Sequence, residues 1–122
     1  MSSVGRLNGK HILVVEDNFL IAEDLRQTLE AAGAERTQSV SSVKSALSAA
    51  HDQKLDGAVL DLRLRDGDCR AVAEELRRRR VPFVILTGSG KERVPAELQA
   101  APYLAKPVSR NDLIEAAARV FA

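Results

Sequence analysis

The sequence predicts an α/β protein, a three-layer sandwich in which a parallel five-stranded sheet carries helices on both faces. Short aliphatic runs recur along the chain, and the most apolar of them are 11–15, 57–62 and 81–86. Stretches with apolar residues at helical spacing separate these runs, and the alternation favours right-handed crossovers between parallel strands. A chain of 122 residues has enough material for one hydrophobic core, so we expect a single domain over 1–122.

The first half of the chain supplies two strands and two helices. The strand 11–15 stops at Glu16-Asp17, and the following helix is expected to end at Gly33. Its apolar positions at helical spacing are Phe19, Leu20, Ala22, Leu25, Leu29 and Ala32. The strand 34–40 is more polar and is therefore expected at an edge of the sheet. Ser41 or Ser42 can cap a helix that continues to about Asp52, with Val43, Ala46, Leu47 and Ala50 on its apolar face.

The second half supplies three more strands and three helices. The strand 57–62 leads into a charged, glycine-containing loop and then a helix over 68–79 that uses Ala71, Val72, Glu75 and Leu76. The strand 81–86 is closed by small residues, and 94–100 has room for only a short helix with Pro95 in its first turn. A brief strand at 103–105 precedes a partial capping box at 109–112 and a final helix. That helix is expected to bury Leu113, Ile114, Ala117, Val120 and Phe121.

Composition limits the classes of partner. Hydrophobic residues make up 45% of the chain and aromatic residues 3%, which predicts an aliphatic core. The net charge of +1 gives no global field that would attract nucleic acid or a membrane surface. Cys69 is the single cysteine, so no intrachain disulfide forms, and 1–10 reads as a polar lead-in without the apolar stretch of a signal peptide. We therefore expect a cytoplasmic protein with neither a nucleic-acid nor a membrane partner.

Polar side chains follow the ends of four predicted strands. They are Glu16 and Asp17, Asp61, Thr87, and Lys106. The carboxyl ends of parallel strands lie at one edge of a sheet, which is where such folds bind ligands. Three carboxylates at one edge repel each other, so they are expected to hold a proton or a divalent cation, and Mg²⁺ suits their hard oxygen ligands.

This set of groups is suited to receiving a phosphoryl group. A carboxylate beside a metal, with an ammonium and a hydroxyl opposite, can accept phosphate as an acyl phosphate on Asp61. Lys106 would neutralise phosphoryl oxygens and the hydroxyl of Thr87 would donate to one. Gly88 and Ser89 are small enough to leave room for the new group.

At this point the chain resembles the receiver domains of two-component response regulators over about 10–121. The resemblance rests on Glu16-Asp17, Asp61, Thr87-Gly88 and Tyr103-Leu104-Ala105-Lys106-Pro107. It implies a flavodoxin-like (βα)5 fold with strand order 2-1-3-4-5. It also implies a phosphorelay function, in which a sensor histidine kinase or a histidine phosphotransfer protein is the donor and a downstream protein is the target.

The resemblance assigns a role to each site residue. Asp61 is the phosphoacceptor, Asp17 a direct Mg²⁺ ligand, Glu16 a ligand through water, and the backbone carbonyl of Arg63 a further ligand. Lys106 contacts the phosphoryl group, and Lys106-Pro107 is expected to be cis. Thr87 is the switch hydroxyl, and Tyr103 is the aromatic residue that turns inward with it.

The sequence also departs from the family pattern. Arg65 stands four residues after the acceptor where the family commonly has proline, while Gly67 is retained, and the segments around the third and fourth helices are short. Pro82-Phe83 before Thr87-Gly88 resembles a subclass of stand-alone receivers, and we expect no further output module after the last helix.

Two other functions remain open on the residues alone. Asp61 could be the nucleophile of a flavodoxin-like phosphohydrolase, or the chain could be a binding module that works without phosphorylation. A dedicated hydrolase needs a general acid or base and a substrate cap, and neither is evident in the sequence. We therefore expect no enzyme beyond self-phosphorylation and autodephosphorylation.

Overall fold

The computed structural model describes residues 5–88 and 94–122. In chain order its elements are β1 His11–Val15, α1 Phe19–Ala31, β2 Arg36–Val40, α2 Val43–Asp52, β3 Gly57–Asp61, β4 Arg63–Leu64, β5 Gly67–Asp68, α3 Arg70–Arg78, β6 Phe83–Thr87, a 3-10 turn Ala96–Leu98, β7 Tyr103–Ala105 and α4 Arg110–Val120.

The main sheet is parallel with the order β2-β1-β3-β6-β7. Counting only its five strands, this is the order 2-1-3-4-5, so the predicted fold is confirmed. One row across the sheet pairs Val40, Val15, Leu60, Ile85 and Tyr103. The residues that follow this row form the carboxyl edge, so the register brings the predicted polar strand ends to one rim.

Alternating strand residues build a core on each face of the sheet. Leu13, Val15 and Leu60 face α2 and α3, while Ile12, Val14 and Val59 face α1 and α4. All six are buried, and almost all the side chains around them are aliphatic. The aliphatic three-layer arrangement follows from this period of two in the strands.

Two predicted helices differ from expectation in what they bury. In α1, Phe19 and Leu20 are 74% and 77% exposed, because no element among the described residues covers the first turn of the helix. In α3, Ala71 is exposed and Ala73 is buried in its place. Helical periodicity gives the spacing of an apolar face but not which of its residues a neighbouring element covers.

The expected fourth helix is only a 3-10 turn. Ala96–Leu98 follows Pro95, so proline does precede the first turn, but no α-helix forms there. Within the described ranges the protein therefore has four α-helices rather than five. Elsewhere Ser42, not Ser41, caps the start of α2. Ser109 caps α4, and its hydroxyl oxygen accepts from the backbone N–H of Asp112.

The segment before β1 is not simply a polar lead-in. Leu7 is fully buried in the core beneath α1 and α4, and its backbone N–H donates to the carbonyl of Ala32 at 2.9 Å. Arg6 forms an ion pair with Glu115 of α4. Gly33 is required at its position, since its φ is +107° and a Cβ would stand 2.3 Å from Asn8 Oδ1.

A small hairpin replaces the loop that the sequence predicts after β3. β4 and β5 pair in antiparallel fashion, with Arg63 opposite Asp68 and Leu64 opposite Gly67. Strands of this length are too short to show an alternating pattern in the sequence. In the part of the chain that the structure describes, no helix has the length and apolar character needed to cross a membrane.

Candidate functional site

Three carboxylates meet at the carboxyl edge of the sheet. Glu16 and Asp17 directly follow β1, and Asp61 is the last residue of the neighbouring β3. Each offers an oxygen that lies within 4.8 Å of the other two. Glu16 and Asp61 are buried, at 3% and 7% exposure, while Asp17 is half-buried. The rim therefore presents a compact set of acidic oxygens, as the sequence predicts.

Lys106 holds two of these carboxylates together. Its Nζ lies 2.9 Å from Glu16 Oε1 and 3.0 Å from Asp61 Oδ2. The backbone N–H of Lys106 donates to the carbonyl of Thr87 at 2.9 Å, and the Lys106-Pro107 peptide is cis. Burial of the ammonium opposes its charge, but the hydrogen bonds to Glu16 and Asp61 outweigh burial and raise the pKa of Lys106. The side chain is thus a fixed cation.

The carboxyl group of Asp61 is poised close to neutrality. Its pKa is raised from 3.8 to about 6: burial raises it most, the hydrogen bond from Lys106 lowers it, and the negative charge of Glu16 raises it. Near pH 7 Asp61 is therefore mostly ionised, but protonating it costs little free energy. A cation or a phosphoryl group at this rim competes with that proton.

Asn18 is a contributor that the sequence analysis missed. Its Oδ1 accepts from the backbone N–H groups of Leu20 and Ile21 at 3.0 and 3.1 Å, so Asn18 caps the start of α1. Glu16 Oε2 instead accepts from the backbone N–H of Asn18 at 3.1 Å. Both oxygens of Glu16 are therefore held. An asparagine just before the first apolar residue of a helix was the available signal.

Thr87 and Gly88 end the strand beside Asp61. Thr87 is the last residue of β6, 1% exposed, and pairs in register with Ala105 of β7. No atom of the described residues lies within 4 Å of the point where a Cβ on Gly88 would stand. Ser89, the other small residue predicted at the pocket, lies outside the described residues.

Arg63 and Tyr103 lie at the margins of the rim. Arg63 is exposed in β4, two residues beyond Asp61. Tyr103 is 39% exposed and begins β7, paired with Ile85 two residues before Thr87. The ring is therefore on the strand next to the predicted switch residue and partly in solvent.

The donor set fits Mg²⁺. Glu16, Asp17 and Asp61 supply hard carboxylate oxygens close enough to share one ion, and Asp17 is exposed enough to leave positions for water. Nitrogen or sulfur ligands, which would indicate zinc or copper, are not part of this cluster. Of the described residues, these three could hold the metal.

Comparison with known proteins finds similarity to response regulators. The family model described as the response regulator receiver domain matches residues 12–118. The Acid tolerance regulatory protein ActR of Rhizobium meliloti (strain 1021) is 33% identical over 112 residues, which are 88% of this chain and 57% of that protein. The chain thus spans little more than half the length of this relative.

Two solved structures are similar in both sequence and fold. The receiver domain of sensor histidine kinase PA1611 from Pseudomonas aeruginosa PAO1, which has a magnesium ion coordinated in its active site cleft, is 32% identical with a TM-score of 0.79, covering 93% of this chain and 98% of that one. SdrG from Sphingomonas melonis Fr1 is 35% identical with a TM-score of 0.76, covering 98% of this chain and 100% of that one.

Proposed function

Because the chain belongs to the response regulator receiver domains of two-component signalling, we propose that Asp61 is its phosphoacceptor and that Lys106, Thr87 and the acidic cluster serve the transfer. The observation that carries the proposal is the position of Asp61. It is buried at a strand end, with Lys106 Nζ at 3.0 Å and two more carboxylates within 4.8 Å. We further propose that 1–122 forms one receiver domain, which a single cooperative unfolding transition would support.

The transfer step is a displacement at phosphorus. A carboxylate oxygen of Asp61 forms a bond to the phosphorus of a donor phosphohistidine, and the bond between phosphorus and the donor nitrogen breaks. The electron pair of that bond leaves with the imidazole, which keeps or takes up a proton, and Asp61 becomes an acyl phosphate. With acetyl phosphate the leaving group is acetate. The protein thus modifies itself and turns over no free substrate.

Each neighbouring residue has a separate task in this proposal. Lys106 is released from its ion pair with Asp61 Oδ2 and instead pairs with phosphoryl oxygens. Mg²⁺ held by Asp17, Asp61, Glu16 through water and the backbone carbonyl of Arg63 would neutralise the acidic rim and the incoming group. Arg63 and Gly88 are proposed to line the space for the phosphoryl group, as is Ser89, which lies outside the described residues; the lack of described atoms within 4 Å of a Cβ at Gly88 supports the role of Gly88.

Thr87 and Tyr103 are proposed to report phosphorylation. We propose that the hydroxyl of Thr87 turns to donate to a phosphoryl oxygen on Asp61, and that movement of the end of β6 then makes room for the ring of Tyr103 beside it. The partly exposed ring and its position on the adjacent strand support this role. Thr87→Ala should accept phosphate while its Tyr103 resonances stay unchanged on phosphorylation; a full shift in that variant would exclude the switch.

A histidine kinase or phosphotransfer protein is the proposed donor, and a downstream protein the target. The exposed side chains of Leu20 and Ile21 line a cleft of about 450 Å³ that reaches Lys106 and Pro107, and exposed Phe19 precedes them in the first turn of α1. An apolar face beside the rim suits a protein donor that must bring its histidine to Asp61. Leu20→Ser should slow transfer from such a protein and leave acetyl phosphate uptake unchanged; equal slowing of both would remove this face from docking.

The proposed setting is the cytoplasm, and the buried free thiol of Cys69 is compatible with a reducing compartment. The expected lack of a nucleic-acid partner stays a prediction, because the chain spans only 57% of the length of ActR.

No observation on the described residues favours a phosphohydrolase. A phosphorylation-independent binding module would show full function in Asp61→Asn.

The decisive experiment is incubation with acetyl phosphate and Mg²⁺ followed by intact-mass measurement. Wild-type protein should gain the mass of one phosphoryl group, and Asp61→Asn should gain none. Asp52→Asn, which changes an exposed carboxylate at the end of α2, is the matched control and should behave as wild type. Phosphorylation of Asp61→Asn to the wild-type extent would refute the assignment, as would the lack of any mass gain on wild type.

A further inference from the structure

The hairpin β4–β5 is attached at its base to the residue after Asp61. The backbone N–H of Leu62 donates to the carbonyl of Leu86 at 2.9 Å, and the carbonyl of Leu62 accepts from the N–H of Cys69 at 3.0 Å. The hairpin therefore leaves and returns at a point fixed on the sheet. Arg63, the proposed carbonyl ligand of Mg²⁺, is its first residue.

The turn of the hairpin contains no proline, although Leu64 at its start is buried in the core. Arg65 and Asp66 connect Leu64 to Gly67, and Arg65 is exposed. Arginine leaves φ free where a proline would fix it near −65°. A two-residue hairpin of this kind is only marginally stable by itself, so contacts outside it must hold its shape.

Asp66 supplies such a contact. Its Oδ1 accepts from the backbone N–H of Val43 at 2.9 Å and its Oδ2 from that of Lys44 at 3.3 Å. Both donors lie at the start of α2, more than 20 residues away in sequence. These hydrogen bonds hold the pKa of Asp66 below its ordinary value, so the carboxylate is charged at neutral pH. A charged acceptor at a helix N-terminus is favoured by the helix dipole.

The start of α2 does not depend on Asp66 alone. Ser42 Oγ accepts from the N–H of Ser45 at 3.0 Å, and Ser45 Oγ accepts from the N–H of Ser42 at 3.2 Å. With the two bonds to Asp66, each backbone N–H from 42 to 45 has a partner, although these are the groups a helix leaves unsatisfied. Ser42 and Asp66 thus share the capping of α2, and of these two caps Asp66 is the one that hydrogen-bonds α2 to the hairpin.

We infer that Asp66 is a positioning residue for the metal site, because it fastens the turn of the hairpin to α2 and so fixes the backbone of Arg63 relative to Asp61 and Asp17. The inference rests on the proposed function of that rim. Asp66 touches neither the metal nor the phosphoryl group. Its effect is to reduce the freedom that the Arg63 carbonyl would lose on binding Mg²⁺, which raises the affinity for the ion.

The test compares two caps of the same helix. Mg²⁺ affinity is measured by calorimetric or NMR titration for wild type, Asp66→Ala, Asp66→Asn and Ser42→Ala. Asp66→Ala should weaken Mg²⁺ binding about tenfold, the lower end of what partners of metal ligands contribute. Ser42→Ala removes one cap but leaves the hairpin attached, so its affinity should change by less than about twofold. Asp66→Asn keeps an acceptor oxygen and should lie closer to wild type than Asp66→Ala.

Two further measurements separate positioning from loss of fold. Without Mg²⁺, amide hydrogen exchange of Val43, Lys44 and Cys69 should quicken in Asp66→Ala, whereas Ser42→Ala should affect chiefly Ser45. At saturating Mg²⁺, Asp66→Ala should take phosphate from acetyl phosphate at nearly the wild-type rate. Asp66→Ala should therefore need a higher Mg²⁺ concentration for half-maximal phosphorylation, while its maximal rate stays close to that of wild type.

Several outcomes would overturn the inference. Equal weakening by Asp66→Ala and Ser42→Ala would assign the effect to α2 stability, and equal weakening by Asp66→Asn and Asp66→Ala would assign it to charge. An unchanged affinity in Asp66→Ala, or a maximal rate that stays low, would also refute positioning while leaving the proposed function intact. Wild-type protein that binds no Mg²⁺ would refute the proposed metal site itself.

Discussion

Replacement of Asp61 by asparagine should change how stability depends on pH. Burial raises the pKa of Asp61 from 3.8 to about 6 in the folded protein, so the folded state holds the proton more tightly than the unfolded chain does. The contribution of Asp61 to folding is therefore fully present below about pH 3.8 and is lost as pH rises through about 6. Asparagine has nearly the same shape but no proton to lose, so this dependence disappears.

The magnitude follows from the size of the pKa change. A rise from 3.8 to about 6 corresponds to about 3 kcal/mol at roughly 1.4 kcal/mol per pH unit. Asp61 is only 7% exposed, so solvent screening reduces this free energy only slightly. Between pH 4 and pH 8, the free energy of unfolding of wild type should fall by up to about 3 kcal/mol relative to that of Asp61→Asn.

Urea unfolding of both proteins at several pH values, without Mg²⁺, measures this difference. Asp66→Asn is the matched control because the hydrogen bonds from Val43 and Lys44 lower the pKa of Asp66. Its stabilising contribution is present at neutral pH and is lost as pH falls, so its difference curve should have the opposite sign. A flat curve for Asp61→Asn, or one that rises with pH, would refute the account of the buried carboxyl group.

Three further changes test other parts of the molecule. Gly57→Ala should destabilise the protein by about 1–3 kcal/mol in urea unfolding, because its Cβ would stand 2.5 Å from the ring of Phe121; an unchanged midpoint would show that α4 moves aside freely. At pH 8, Mg²⁺ at about a hundred times its Kd should stabilise wild type by about 2.7 kcal/mol and Asp61→Asn by clearly less, as measured by thermal unfolding. Arg63→Ala should change the lifetime of the phosphorylated form, since its exposed guanidinium lies two residues beyond the acceptor, and an unchanged decay rate would remove the side chain from the mechanism.

Much of the site could be predicted because its residues are strand ends. An aliphatic run followed by a carboxylate is visible in one short stretch of sequence, and the parallel sheet then requires that Asp17 and Asp61 meet. Only the contacts among them needed the fold. Lys106 is 90 residues from Glu16 in the chain, and nothing local in the sequence shows that its ammonium binds Glu16 as well as Asp61.

Other features escaped prediction for physical reasons. The apolar residues Phe19 and Leu20 have helical spacing, but burial depends on whether another element covers them, and none in the described ranges does. Leu7 is a single leucine in a polar stretch. It is buried in the core beneath α1 and α4, and that core exists only after folding. The hairpin's strands have two residues each, too few for a periodic signal.

The sequence by itself determined the layered fold, the strand ends that carry chemistry and the identity of the phosphoacceptor candidate, because periodicity and strand-end polarity are local properties. The tertiary structure decided how those groups are held. The ion pairs of Lys106 and the attachment of Asp66 to α2 join groups that are far apart in the chain and close only through packing. Such pairings depend on where the folded sheet and helices place each backbone, and a local sequence pattern does not contain that information.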